Sequence, residues 1–479
     1  MTQGTTVKPV DPRSAPVWNP KLALLVACTM FMEHLDGTIL VTAAPQIARD
    51  FGVSSAQVGL AITAYLVTVA TFIPVGGWLT SRYGARRVFC ASIVLFTVAS
   101  ILCAASPNLG VLVAGRILQG LGGAMMVPVG RLVILRSTEK RDLLRAIAYI
   151  TWPALLAPVL APVVGGVITT YAGWHWIFLL NVPLGALALV VALRLVTDRS
   201  TEARPLDRVG LLWCTVAVFG LMAGMELATA STHVVVALAV LAAAFTALVL
   251  AVRWLLRVRT PLLDVRVYRI ASYRVANSGG FVYRLLISAV PFLLPLMFQD
   301  GFGWTPVESG LLVMAVFIGN VGIKPATTPL LRRFGFRAVI LTAVAGGGAL
   351  IAGFAFLTPE VPVAVIAALL VASGALRSIG FTAYNSLQFS DVGPAQMPAA
   401  NTLSSTTDQL ASGLGVALGS LVLQAAAAPG PDAVGVLAGP LVPYQAAFLV
   451  MAAFTLLPLV SGWRLDPDAA SEVTARPGR

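Results

Sequence analysis

Lys21 to Ala44 is a long apolar stretch that nonetheless carries Glu33, His34 and Asp36. A carboxylate in mid-membrane costs at least ~2.5 kcal/mol on insertion scales, so such residues usually face a watery cavity or a partner and mark an ion or substrate path. Asp36 is the first candidate for proton chemistry. Glu33 lies three residues earlier and can share its helix face. His34 points about 100° away from Glu33, and reads as a satisfied core histidine or as a proton relay.

Other ionisable groups sit in apolar runs further on. Arg116 and Asp36 each lie about eight residues from the same end of their runs, which puts them at similar depth at about 1.5 Å per residue. The two can meet, and protonation of Asp36 would then depend on how near Arg116 stands. Asp408 and Gln409 follow Thr402, Ser404, Ser405, Thr406 and Thr407, a polar density suited to a cavity wall. Arg284 is too deep to snorkel easily, whereas Lys324, near the end of its run, can reach the interface. Arg377 is a further intramembrane cation, and Glu226 reads as interfacial. Tyr65, Trp152, Tyr283, Tyr384, Asn385 and Gln388 are candidates for lining an amphiphilic pocket as a group, although each one singly is better explained as packing.

These groups must be positioned by membrane helices. Of 479 residues, 58% are hydrophobic and only 11% charged, with mean hydropathy +0.88, against about 25% charged in a soluble domain. The net charge of +12 comes from short loops, so it argues for orientation in a bilayer and against nucleic acid. Cys28, Cys90, Cys103 and Cys214 lack ligand-like spacing and read as packing residues. The first twenty residues form a polar tail rather than a signal peptide. No P-loop, dinucleotide fingerprint, metal-ligand cluster or nucleophile elbow is present, which disfavours an enzyme or an ATP-driven pump.

Taking about 20 apolar residues per span, fourteen spans are expected. Six lie near 21–44, 56–78, 88–106, 109–133, 144–170 and 175–196; two near 209–229 and 234–252; and six near 273–298, 307–327, 338–357, 361–389, 400–428 and 441–462. Arginine collects in the even-numbered loops, at Arg82, Arg86 and Arg87, at Arg136, Lys140, Arg141 and Arg145, at Arg199, Arg204 and Arg208, at Arg253 to Arg269, and at Arg332, Arg333 and Arg337. The odd-numbered loops carry Asp50, Asp300, Glu308, Glu360 and Asp432, with Arg49 their only arginine. Both termini are thus expected on the cytoplasmic face; the loop from Asp391 to Pro398, without a basic residue, is the exception. Phe51 to Leu60 is similar to Phe302 to Leu311, and Leu79 to Val88 to Leu330 to Val339, both at an offset of 251 residues. One register on both faces means two parallel repeats.

Four motifs carry a resemblance to a known family. Leu35-Asp36-Gly37-Thr38-Ile39-Leu40-Val41-Thr42-Ala43-Ala44-Pro45 is similar to the first-helix stretch of the fourteen-helix drug:proton antiporters of the EmrB/QacA type, within the major facilitator superfamily. Gly77 to Arg87 resembles the superfamily's loop between the second and third helices, with Gly84 at the turn and Arg82 and Arg86 at the cytoplasmic face. Ser81 stands where the family usually has aspartate, so the charge pair that would latch the halves is missing. Gly115 to Ala124 resembles the fourth-helix motif with its intramembrane arginine, Arg116. Pro158 to Gly166 resembles the fifth-helix antiporter motif, in which Pro158 and Pro162 bend the helix while Gly165 and Gly166 admit a neighbour; Ala161 replaces a glycine.

The resemblance implies an all-α integral membrane protein of major facilitator fold, with two pseudo-symmetric six-helix bundles and two extra linker helices. The expected divisions are a tail at 1–20, bundles at 21–200 and 259–464, the extra helices at 201–258, and a tail at 465–479. It also implies a monomeric, proton-coupled exporter in the inner membrane, powered by the proton gradient without cofactor or metal. Asp36, Glu33 and Arg116 would couple protons, and His34, Tyr65, Gln119, Arg284, Tyr384, Asn385, Asp408 and Gln409 would line the substrate cavity. Whether a periplasmic adaptor joins it stays open. So does the cargo, for Arg284, Arg377 and Lys324 would also suit an organic anion such as a carboxylate metabolite or siderophore. A membrane sensor is the remaining alternative, although no large soluble domain supports it.

Overall fold

The computed structural model describes residues 20–137, 143–197, 205–229, 234–393, 396–427 and 441–465, with side chains at 135–155 left aside. Both tails, Arg136, Lys140, Arg141, Arg145, Trp152, Arg199, Arg204, the Glu226 side chain and Asp432 lie outside that description. Among the described residues every regular element is helical. Among the described residues twelve helical spans are long and apolar enough to cross a membrane, and Leu156–Tyr171 and Pro306–Gly322 are shorter apolar helices.

The first half is α1 (Pro20–Phe51), α2 (Ser55–Tyr83), α3 (Ala85–Ala104), α4 (Leu109–Ser137), α5 (Leu143–Tyr171) and a span divided into α6 (His175–Leu179) and α7 (Asn181–Leu195). After α8 (Arg208–Thr229) and α9 (Val234–Arg257) the second half comprises α10 (Ala271–Leu296), α11 (Pro306–Gly322), α12 (Lys324–Phe354), α13 (Val363–Phe389), α14 (Met397–Ala427), α15 (Val442–Phe454) and α16 (Leu456–Trp463).

The 251-residue repeat has a local physical basis. Ser54 accepts from Gln57 N while Gln57 accepts from Ser54 N at 2.9 Å, and Thr305 and Glu308 form the same reciprocal cap at the start of α11. Such a capping box satisfies amides that a helix start leaves unpaired. Just before each cap the chain turns through positive φ at Gly52 (67°) and Gly303 (73°), and at the opposite face through Gly84 (83°) and Gly335 (75°), a region that favours glycine. The repeats differ within one span. The stretch expected as a single run at 307–327 breaks at Ile323, just before Pro325, whereas α2 runs unbroken through Pro74 at the equivalent position. Its remainder joins α12 through Gly335.

The halves meet toward the Gly52 and Gly303 end. There Gly166 of α5 abuts the Pro306 carbonyl, Gly310 of α11 abuts the Pro162 carbonyl, and Ser420 Oγ donates to Ala56 O at 2.6 Å. Gln299 Nε2 donates to Thr42 O at 3.0 Å. α8 packs Val218 and Met222 against Ala64 and Val67 of α2, with Leu410 of α14 beside them, while α9 seats Leu241 and Ala244 on Gly224 and Gly220. The additional pair thus lies over the seam between α2 and α14, with the apolar outer face of α9 exposed at Val235, Leu238 and Phe245, a surface suited to lipid.

Candidate functional site

Asp36 is buried at 2% exposure on α1, and a carboxylate removed from water requires donors. Two helices provide them. Arg116 Nη1 of α4 approaches Asp36 Oδ2 at 2.5 Å. Gln119 Nε2, one turn further along α4, donates to Asp36 Oδ1 at 2.8 Å, and Asn181 Nδ2 of α7 donates to the same oxygen at 2.7 Å. Ser100 of α3 accepts from Gln119 at 2.8 Å and from Asn181 at 3.3 Å. Arg116, fully buried, also donates to Gln119 Oε1 at 2.7 Å, yet its Nη2 has no hydrogen-bond partner.

Matched depth therefore does bring Asp36 and Arg116 together. Gln119, expected on the cavity wall, is fully buried in this cluster instead. Ser100 and Asn181 escape a sequence reading of acids and arginines; the signal available for Asn181 was a lone amide in the apolar run at 175–196. Depth can be counted along the chain, but the rotation of α3 and α7 toward α1 depends on packing.

Tyr65 of α2 separates the cluster from open space. The Arg116 guanidinium lies 4.2 Å from its ring centroid, a cation–π arrangement, while its hydroxyl donates to Glu33 Oε1 at 3.3 Å. Glu33 Oε2 is 2.7 Å from His34 Nδ1, which also lies 2.9 Å from Met30 O; the His34 side chain is 37% exposed. Glu33, His34 and Tyr65 line a cavity of about 310 Å³. Its walls come from α1, α2 and α5 on one side and from α10, α11, α13 and α14 on the other, with Pro158, Pro291, Phe292, Arg377 and Gln409 among the lining residues. This is the size and mixed character of a small-molecule site, mostly apolar with a few polar groups.

The second half holds another buried charge cluster. Arg284 Nη1 is 2.5 Å from Asp408 Oδ1 without the alignment of a hydrogen bond, and Arg284 Nη2 donates to Asn385 Oδ1 at 2.5 Å. These three residues lie beside the cavity rather than on its lining, Arg284 and Asp408 each one turn from the lining Ser288 and Ser412. Tyr384 is likewise off the wall, packed 5.4 Å from Tyr283 between ring centroids and over Gly280. Gln388 is buried near Asn277, 3.5 Å away. Lys324 does not extend to the interface alone, for its Nζ donates to Thr382 Oγ1 at 3.2 Å.

The conformational motifs divide by partner. Ser81 Oγ donates to Trp78 O of its own helix at 2.8 Å, so it links no second half. Arg86 donates to Leu193 O at 2.6 Å, binding the α7 carboxyl end to α3, and Arg82 is exposed. Gly77 faces open space. Pro158 and Pro162 stay within an unbroken α5 and line the cavity. Gly165 abuts Ile39 O of α1, and Gly166 abuts α11. Among the described residues no group of three metal-binding side chains occurs.

Comparisons with known proteins agree with this architecture. The family model of the Major Facilitator Superfamily matches residues 26–416 and 276–478. A protein of Salmonella heidelberg named "Putative multidrug resistance protein MdtD" is 33% identical over 411 residues, covering 83% of this chain and 85% of that one. Its namesake in Escherichia coli O6:H1 is 32% identical over 402 residues, with the same coverages. Among solved structures, the nucleoside transporter NupG superposes with a TM-score of 0.60 at 13% identity, covering 94% of this chain and 100% of that one. The human organic anion transporter MFSD10 gives 0.59 at 15%, covering 92% and 99%. At these identities the two structures speak for the fold alone.

Proposed function

Because the chain belongs to the Major Facilitator Superfamily, and its curated relatives carry the name of a multidrug resistance protein, we propose that it is a proton-coupled antiporter exporting small amphiphilic, drug-like molecules. The halves rock around the central cavity, which opens to one face at a time. Both termini face the cytoplasm, and a monomer is the working unit.

The observation that carries the reading is the path from Asp36 through Arg116 and Tyr65 to Glu33 on the cavity wall. A proton on Asp36 removes the charge that holds Arg116, Gln119 and Asn181 in their present geometry. Arg116, already short of one partner at Nη2, then reorients against α2, where its Nε reaches Ala61 O at 3.4 Å. Tyr65, on the same helix, transmits that shift to Glu33. Substrate in the cavity acts on this chain from its other end, so proton and cargo favour different conformations.

The test is transport into proteoliposomes with an imposed pH gradient, over a panel of cationic dyes and organic acids. Accumulation of amphiphiles that collapses when a protonophore dissipates the gradient is expected. Equal movement with and without the gradient contradicts proton coupling.

A further inference from the structure

Arg377 of α13 lines the cavity with a buried Nη1 that has no hydrogen-bond partner, and its guanidinium lies 5.8 Å from the Phe317 ring centroid. Its situation differs from that of the two buried arginines, since Arg116 has Asp36 and Arg284 has Asp408, whereas Arg377 is half-buried. On the α1 wall of the same cavity stands Glu33, held by Tyr65 and by the partly exposed His34. One space of about 310 Å³ thus has a carboxyl group and a guanidinium on walls from different halves.

A ligand that is only a cation gains at Glu33, but it is repelled by Arg377 and leaves that guanidinium N–H unpaired, which is costly away from water. A ligand that is only an anion meets the reverse situation at Glu33. A molecule carrying both charges satisfies both walls, and the carboxylate is the anion whose geometry suits a guanidinium fork. We propose that the cavity selects zwitterionic amphiphiles, with a carboxylate seated on Arg377 beside Phe317 and Asn320, an ammonium directed to the Glu33 wall, and an apolar body along Pro158, Pro162 and Phe292. This rests on the exporter reading and narrows its substrate class. Because the two charges belong to different halves, such a ligand also bridges the surfaces that rock apart.

The test uses three probes with one dansyl body: Nε-dansyl-lysine, which carries amine and carboxylate; its methyl ester, a cation; and its Nα-acetyl derivative, an anion. Fluorescence titration of the purified full-length protein is expected to rank the zwitterion at least about tenfold tighter than either relative, the scale of one charge-assisted hydrogen bond in a dry site. In Arg377→Gln the zwitterion falls to the ester's affinity, and Arg377→Lys retains part of the preference. Equal binding of the three probes, binding of none, or a preference that survives Arg377→Gln overturns the proposal. Gradient-driven export of all three dansyl probes, measured on the same protein, reports separately on the exporter reading. Export of any probe beside a failed ranking removes only the zwitterion claim, and export of none beside a correct ranking removes only the exporter.

Discussion

Gly165→Ala and Gly166→Ala, on adjacent residues of α5, should have different consequences because the two glycines touch different halves. A Cβ at Gly166 would stand 2.5 Å from Pro306 O and 3.1 Å from Val307 Cα of α11, where ordinary contact begins near 3.4 Å. The obstruction is backbone at a capped helix start, so it cannot rotate away, and α5 and α11 must separate by nearly an ångström. Overpacking of this kind costs about 1–3 kcal/mol. Here that cost falls on the conformation closed at the Gly52 end and is relieved when the end opens, so the closed-to-open ratio should drop by about 5- to 150-fold. At Gly165 the Cβ would meet Ile39 O at 2.9 Å, inside the first half, so the penalty there falls on folding and lowers the melting temperature. Spin labels at Tyr171 and Glu360, both exposed at this end, in a background with Cys28, Cys90, Cys103 and Cys214 replaced, report the opening as a distance distribution. A longer-distance population that grows in Gly166→Ala and not in Gly165→Ala is expected. Identical distributions in both variants would refute the view that Gly166 works as a contact between halves.

Two further outcomes follow from the buried polar groups. Arg284→Ala should destabilise the purified protein by about 3 kcal/mol, the lower end for a broken buried pair because Asp408 remains 27% exposed, and the double change Arg284→Met with Asp408→Leu should recover most of the melting temperature. Tyr65→Phe keeps the ring under Arg116 but loses the bond to Glu33, which His34 still holds; gradient-driven dye transport should fall by about tenfold or more while thermal stability changes little, and wild-type transport would show that the hydroxyl is not part of the path.

Much of the fold was legible because membrane helices announce themselves by length, and because a repeat fixes its own register. The 251-residue offset read from two loops reappears as paired caps at Ser54 and Thr305 and as paired glycine turns at 52 and 303, and at 84 and 335. The pairing of Asp36 with Arg116 was legible from depth, which counts linearly along a helix. Helix rotation is not linear in sequence, and there the reading lost resolution. Gln119 turned inward to Asp36 rather than outward to the cavity, Asn181 and Ser100 joined the cluster unannounced, and Arg284 was drawn beside the cavity by Asp408 and Asn385. Arg377 was legible as an intramembrane charge, but its unpaired Nη1 required the geometry of α13 against α11.

Substitution of Asp36 by asparagine keeps the side chain's volume while removing the group that can exchange a proton. Ethidium movement in proteoliposomes should be followed in two modes, net accumulation driven by an imposed pH gradient and exchange of labelled for unlabelled dye without one. If Asp36 carries the coupling proton, Asp36→Asn loses gradient-driven accumulation while exchange continues. Accumulation at the wild-type rate in Asp36→Asn would contradict it.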